Sequence, residues 1–255
     1  IMKKYFFLNG MPRAGNTLLA SILNQNPDIK TTANSLTMGL IKKANDLKSL
    51  SNLNKDKDTE IFLNFPDHNS LDNVIKNIIP NYYKDWNCKY IIDRSPIGLQ
   101  GNLELMQKYL GQPIKVIVLM RKIEDVLSSF LKVLKNIKGT DEEKVKNLMR
   151  VNGPIHNAVL STQNLQNKNI AHFIEYTDLI NNPKEIINGI YKFLDIPEYD
   201  HRFINLEQLN INGVKYEEDI KLHTIKTDKL YMTHHKPLPD NILKTIRSKF
   251  MIVFW

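Results

Sequence analysis

Lys4-Tyr5-Phe6-Phe7-Leu8-Asn9-Gly10-Met11-Pro12-Arg13-Ala14-Gly15-Asn16-Thr17-Leu18-Leu19 reads as three pieces in succession. Lys4 to Asn9 is a short apolar run, Gly10 to Gly15 is a Gly/Pro loop, and Thr17, Leu18, Leu19, Ile22 and Leu23 recur at helical spacing. Asn26-Pro27 ends that helix, because a proline disfavours helical backbone in the residue before it. Working outward, Lys89 to Asp93 (KYIID) and Ile114 to Met120 (IKVIVLM) read as buried strands, the second nearly unbroken in the manner of parallel sheets. Between them lies a helix carrying Leu103, Leu105, Met106 and Leu110. A fourth run, Ile170 to Tyr176, precedes Asn182-Pro183, where Asn as N-cap and Pro in the first turn open a helix with Ile186, Ile187, Ile190, Phe193 and Leu194 inward. Pro197 follows its end. Thr140 with Glu143 forms a capping box, and Gly153-Pro154 separates that helix from another over Ile155 to Leu165. The alternation predicts an α/β fold: a doubly wound parallel sheet flanked by helices, one domain over residues 1–255. Leu47 to Glu60 is polar without an apolar face and reads as a loop, a crossing or a mobile lid.

At 255 residues the chain is long enough to bury a core without staples. Hydrophobic residues at 42% and charged residues at 24% exclude a disordered or fibrous chain. The single cysteine, Cys88, excludes an intrachain disulfide and a Cys-based zinc site, so a reducing cytoplasm is expected. Met2 to Leu8 imitates a signal peptide, but its apolar run is shorter than the roughly seven residues such a segment needs and reads as a strand. No stretch approaches the roughly 18 apolar residues of a membrane span. The net charge of +8 favours anionic partners, yet the basic residues are scattered without interleaved aromatics, which argues against nucleic acid.

The loop fits the phosphate-binding spacing G-x-x-x-x-G-K-[ST], except that Asn16 stands in the lysine position. In such a P-loop, backbone N–H groups and a helix N-terminus wrap a phosphate while the lysine and a metal-bound hydroxyl neutralise a triphosphate. Gly15 and Thr17 keep the cradle, and Arg13 is the replacement cation, its planar fork suited to a tetrahedral oxyanion. The alternative is a plain strand-to-helix turn with Arg13 solvated. The strand Ile114 to Met120 then ends in Arg121, where a metal-dependent NTPase would carry an acidic ligand. Ser129 follows in the second turn of the next helix, so Arg121 and Ser129 form a candidate second anion site. The alternative for Arg121 is an ion pair with Glu124 or Asp125.

With both motifs in hand, the sequence resembles the sulfotransferases that use 3′-phosphoadenosine 5′-phosphosulfate (PAPS). Pro12-Arg13-Ala14-Gly15-Asn16-Thr17 is similar to that family's P-[KR]-x-G-[ST]-T loop, with Asn16 departing from the usual hydroxyl residue. Arg121 and Ser129, with Asp125-Val126 between, match its 3′-phosphate motif. Glu175-Tyr176-Thr177-Asp178-Leu179, followed by Pro183 and Phe193-Leu194, is similar to its third segment, whose tyrosine lies near the nucleotide. The resemblance spans residues 4 to about 197 and is closer to the tyrosylprotein and bacterial carbohydrate-type branches than to the cytosolic small-phenol branch. It implies a PAPS site, with PAP as product, formed by Arg13, Ala14, Gly15, Asn16, Thr17, Leu18, Arg121, Ser129 and Tyr176. Lys226 and Thr227, in a C-terminal segment 220–255, are expected to complete it. It implies metal-independent transfer of a sulfuryl group to a hydroxyl or amine of a carbohydrate, a small molecule or a protein tyrosine, with Arg13 catalytic.

The base is the open point. The tyrosylprotein branch places a Glu downstream of its loop arginine, and the same spacing from Arg13 arrives at Asn34, which takes no proton. Asp93, at a strand's carboxyl end facing the expected crevice, is the first candidate; its alternative is a structural pair with Arg94 or Arg121. His68, in a loop after Pro66-Asp67, is the second. His234-His235 reads as acceptor-side or surface rather than metal-binding. Tyr82, Tyr83 and Trp86 line either an acceptor pocket or the core. Two rival readings stay open: a nucleotide or nucleoside kinase with an altered loop, and a non-catalytic PAP- or glycan-binding protein.

Overall fold

The computed structural model describes residues 3–32, 34–53, 68–208, 210–211, 214–215, 225, 228, 230 and 237–249. Five strands, β1 (Lys4–Leu8), β2 (Ile29–Thr31), β3 (Tyr90–Asp93), β4 (Val116–Met120) and β5 (Ala171–Glu175), form one parallel sheet in the order β2-β3-β1-β4-β5. The central strand β1 shows why both faces are covered. Phe6 and Leu8 point into one core cluster while Tyr5 and Phe7 point into the other, the period-two alternation of a strand buried on both sides.

The first cluster receives α1 (Asn16–Leu23), α5 (Ile123–Val133), α6 (Asp141–Leu148) and α9 (Pro183–Leu194). The second receives α2 (Thr37–Leu53), α3 (His68–Tyr82) and α4 (Asn102–Tyr109). The helix α7 (Pro154–Leu165) contributes Ile155 and Val159 to the first and Leu165 to the second. The chain also forms α8 (Tyr176–Asn181), α10 (Asp240–Lys249) and a two-residue antiparallel pairing of β6 (Asn210–Ile211) with β7 (Val214–Lys215).

The capping box at Thr140 is present: its hydroxyl accepts from Glu143 N–H at 3.2 Å and Glu143 accepts from Thr140 N–H at 2.7 Å. Three sequence expectations change. Leu47 to Leu53 belongs to α2 rather than to a loop, and 54–60 lies outside the described residues. His68 opens α3 instead of sitting in a loop. Asn182 precedes α9 without a side-chain cap bond, so Pro183 in the first turn sets that start. Tyr83 is core: it has no exposed surface, and Tyr82 and Trp86 pack edge-on against it at 4.9 and 5.0 Å between ring centroids. Cys88 is a buried free thiol. Among the described residues no helix is long and apolar enough to cross a membrane.

Behind α1, Asn26 donates to the Tyr191 hydroxyl at 3.0 Å, and that hydroxyl lies 2.9 Å from His201 Nε2. With Asn26 donating into the oxygen, the tyrosine proton is directed to the neutral imidazole. Burial holds His201 below the usual histidine value of 6.5. The native state therefore binds fewer protons than the unfolded chain just below 6.5, and stability falls as the pH drops through that region. Unfolding midpoints followed from pH 8 to 5 are expected to decline less steeply for His201→Gln than for the parent; equal slopes would refute this.

Candidate functional site

The loop after β1 is fastened to β4 before it turns. Asn9 N–H donates to Ile117 O at 2.8 Å and Met11 N–H to Leu119 O at 3.1 Å. Buried Met11 and Ala14 seat it on the core and leave Arg13 half-buried. Arg13 takes a left-handed backbone, φ 61°, and Gly15, at φ 97°, is the N-cap of α1. Only after these turns does the first helical bond form, Leu19 N–H to Gly15 O at 3.0 Å. The N–H groups of Asn16, Thr17 and Leu18 precede it, which is how a helix start addresses an anion. Leu18 itself packs its side chain against the core, so its backbone is what it offers a ligand.

Asn16 behaves differently from a ligand-facing residue. Its side chain turns inward, is 5% exposed, and donates from Nδ2 to Met11 O at 2.7 Å. A Cβ on Gly10 would stand 1.5 Å from Asn16 Oδ1, so the loop closes only because residue 10 has none. The sequence treats Asn16 as a ligand donor; the structure uses that donor to brace the loop.

Arg13, Arg121 and Ser129 lie together with Arg13 in the middle, so Ser129 meets Arg13 where the sequence reading pairs it with Arg121. Arg13 Nε donates to Ser129 Oγ at 3.1 Å, and Arg121 Nη1 donates to Arg13 O at 3.3 Å. Arg121 is 6% exposed, its guanidinium carbon 4.2 Å from the Tyr176 ring centroid, with Asp125 3.8 Å from its Nε. The ion pair weighed for Arg121 is thus present alongside its place at the loop. Glu175, at the end of β5, is held above the usual carboxyl range by burial and then by Asp178, with Lys122 opposing.

Asp93 has surroundings unlike those expected of a base. It has no exposed surface, and its Oδ2 accepts from Ser35 Oγ at 2.8 Å, Thr37 Oγ1 at 2.8 Å and the Tyr83 hydroxyl at 2.5 Å. Burial pushes its pKa up against the pull of these hydroxyls. The carboxyl ties the start of α2 and the end of α3 to the tip of β3. Arg94 follows it, with its N–H donating to Thr32 Oγ1 at 2.7 Å. Asn34 lies exposed just beyond β2. Lys226, Thr227, His234 and His235 lie outside the described residues. Two contacts had no sequence signal: the Tyr176–Arg121 stack, and Asn9 Oδ1 accepting from Ser161 Oγ at 2.5 Å, which draws α7 to the end of β1. Among the described residues no group of three or more His, Cys, Asp or Glu is placed to hold a metal ion.

A model of the sulfotransferase family matches residues 6–201. The chain belongs to the sulfotransferase family. The fold agrees. The sulfotransferase domain of the Synechococcus PCC 7002 olefin synthase superposes with a TM-score of 0.52 at 17% identity, covering 78% of this chain and 75% of that one. The sulfotransferase of Alicyclobacillus acidocaldarius gives 0.50 at 14% identity, covering 79% and 85%. No curated protein matches the chain by sequence.

Substitutions at three positions test this reading of the site. Gly10→Ala is expected to destabilise by about 1–3 kcal/mol, as overpacking does, because its Cβ displaces the Asn16 amide; Asn16→Ser, which removes the brace, should cost a similar amount and add little on top of Gly10→Ala, and an additive double variant would refute the brace. For Asp93, a raised native pKa means the folded state binds more protons than the unfolded chain above 3.8, so stability falls as pH rises through that window. Denaturant unfolding of the parent and Asp93→Asn should show the parent losing ground from pH 4 upward; parallel curves would refute it.

Proposed function

We propose that the protein transfers a sulfuryl group from PAPS to a hydroxyl or amine acceptor. The observation that carries this is the convergence of Arg13, Arg121 and the start of α1 on one braced loop, with the strand-end cation bonded to Arg13 O. The donor set suits the group: a glycine-cornered cradle, the leading N–H groups of α1, Thr17, and two guanidiniums for two separated anionic groups.

In this reaction the acceptor's lone pair forms a bond to sulfur as the bond from sulfur to the 5′-phosphate oxygen breaks. The electron pair of that bond stays on PAP, and the acceptor proton passes to a base. Charge grows on the sulfuryl oxygens and on the bridging oxygen, where fixed donors contribute most. Arg13 and the α1 N–H groups serve the departing phosphate, while Arg121 with Ser129 serves the 3′-phosphate. The charge is met by arginines, so no metal is assigned a part. Ala14 shapes the loop from its buried side. Lys226 and Thr227, outside the described residues, enter this reading by the resemblance alone. Of the two candidate bases, Asp93 acts as an anchor for the crevice wall, which leaves His68, at the start of α3, as the remaining candidate. The acceptor is a small molecule, a glycan or a protein side chain, and the setting is the cytoplasm.

A second reading, PAP binding without turnover, is favoured by one observation, the complete enclosure of Asp93. Thermal unfolding with PAP and EDTA, beside ATP with Mg²⁺, tests both against a kinase. A ligand at 100 times its Kd adds about 2.7 kcal/mol, a rise of several degrees at this size. PAP is expected to give that rise and Mg²⁺·ATP none; the reverse would overturn the assignment. Arg121→Ala should weaken PAP binding about tenfold or more, the scale of a lost charge-assisted bond. Turnover of labelled PAPS across an acceptor panel then separates enzyme from binder.

A further inference from the structure

Tyr176 opens α8 directly after β5, and its ring is 6% exposed. The ring meets both halves of the site. A Cβ on Gly15 would lie 2.8 Å from Cδ2 and Cε2, so the bare Cα of the α1 N-cap rests against the ring. The Arg121 guanidinium carbon lies over the same ring, 4.2 Å from its centroid. The ring thus fills the space between the loop corner and the strand-end cation, which are brought together from residues 15, 121 and 176 only by the fold.

We propose that Tyr176 is a positioning residue that couples the two phosphate subsites: its ring, wedged between Gly15 and Arg121, fixes the 3′-phosphate cation relative to the 5′-phosphosulfate loop. This rests on the PAPS reading above and adds a determinant of which nucleotides the site accepts. A free arginine carries several rotatable bonds whose freedom must be lost before it grips an anion. Stacking holds the guanidinium by its face and leaves the in-plane N–H fork to face oxygens. Asp125 at 3.8 Å and Arg13 O at 3.3 Å fix its rotation about that stack. The glycine contact carries the constraint onward, because the corner that orients the α1 N–H groups cannot move toward the ring. The two subsites then hold one separation, and a ligand bearing both phosphates binds as a chelate, its second contact made at high effective concentration. Loosening the ring should therefore cost the 3′-phosphate's contribution and spare the 5′ one.

Calorimetric titration of the full chain with PAP and with 5′-AMP, which lacks the 3′-phosphate, reads this as the ratio of the two dissociation constants. In Tyr176→Phe, which keeps the ring, the parent ratio is expected to persist within about twofold. In Tyr176→Leu the ratio is expected to fall about tenfold, the scale of a buried cation–π contact, with 5′-AMP affinity little changed even though loss of the buried ring lowers the ligand-free unfolding midpoint. Arg121→Lys, which keeps the charge but not the flat face, should lose a similar part of the ratio, and combining it with Tyr176→Leu should add little. If Tyr176→Phe is as damaging as Tyr176→Leu, the hydroxyl and not the ring matters and the proposal falls. It falls equally if Tyr176→Leu weakens both ligands alike, or if it does not fold and Arg121→Lys keeps the parent ratio. A parent that does not prefer PAP over 5′-AMP would instead remove the PAPS reading on which it stands.

Discussion

The hydrogen bond from Asn16 Nδ2 to Met11 O, 2.7 Å long and buried inside the loop, is what the rest of the site depends on. It spans the loop from the helix side to the strand side, so the backbone between has to turn sharply, through left-handed Arg13 and Gly15. Those turns aim the α1 N–H groups into the crevice and put Arg13 O where Arg121 donates to it. The brace has a cost. Asn16 Oδ1 is buried over Gly10 with no hydrogen-bond partner, and an unmet buried acceptor costs about 1–3 kcal/mol. A lysine in its place would have reached a phosphate and left the loop unbraced. This chain has fixed its loop from within, and in the proposed reaction Arg13 and Arg121 supply the charge instead.

Whatever was contiguous could be read from the sequence. β1, β3 and β4 announce themselves because strands covered on both faces are apolar runs, and the capping box at Thr140 is two residues within one turn. The phosphate loop is a single stretch whose spacing carries its chemistry. β2 escaped because it has three residues, Ile29–Thr31, and borrows its definition from pairing with β3. The end of α2, Leu47–Leu53, was misread as a loop for a related reason. Leu36 at 70%, Leu40 at 47% and Leu47 at 51% exposure lie on the outer side, opposite buried Met38 and Ile41, so the sequence offers no clean apolar stripe.

Asp93 marks the limit of reading position as role. Its place at the carboxyl end of a parallel strand is where functional groups are expected. The residues that decide its behaviour, Ser35 and Thr37 at the start of α2 and Tyr83 just past α3, reach it only through the packing of those helices on the sheet. A carboxyl taken from water, given three hydroxyl donors on one oxygen and no exposed surface, is suited to holding elements together. Tyr176 is the complementary case. Its segment was legible as part of the site, but the stack with Arg121 and the contact with Gly15 join three segments that no spacing connects.

The strand order assigns the two halves of the crevice different work. β1 lies between β3 and β4, so the loop leaving it faces Arg121 and Tyr176 on the β4–β5 side and Asp93 and Arg94 on the β3–β2 side. In the proposed reaction the leaving phosphate is gripped by the loop and the start of α1, and an in-line displacement requires the acceptor on the opposite side of sulfur. With the nucleotide over β4 and β5, that side is the one walled by β3, β2 and the start of α2. Its rigidity is then a catalytic matter, since a misplaced acceptor loses rate steeply. The enclosed Asp93 carboxyl, joining the start of α2 and the residue after α3 to the tip of β3, is one of the contacts that hold that wall together.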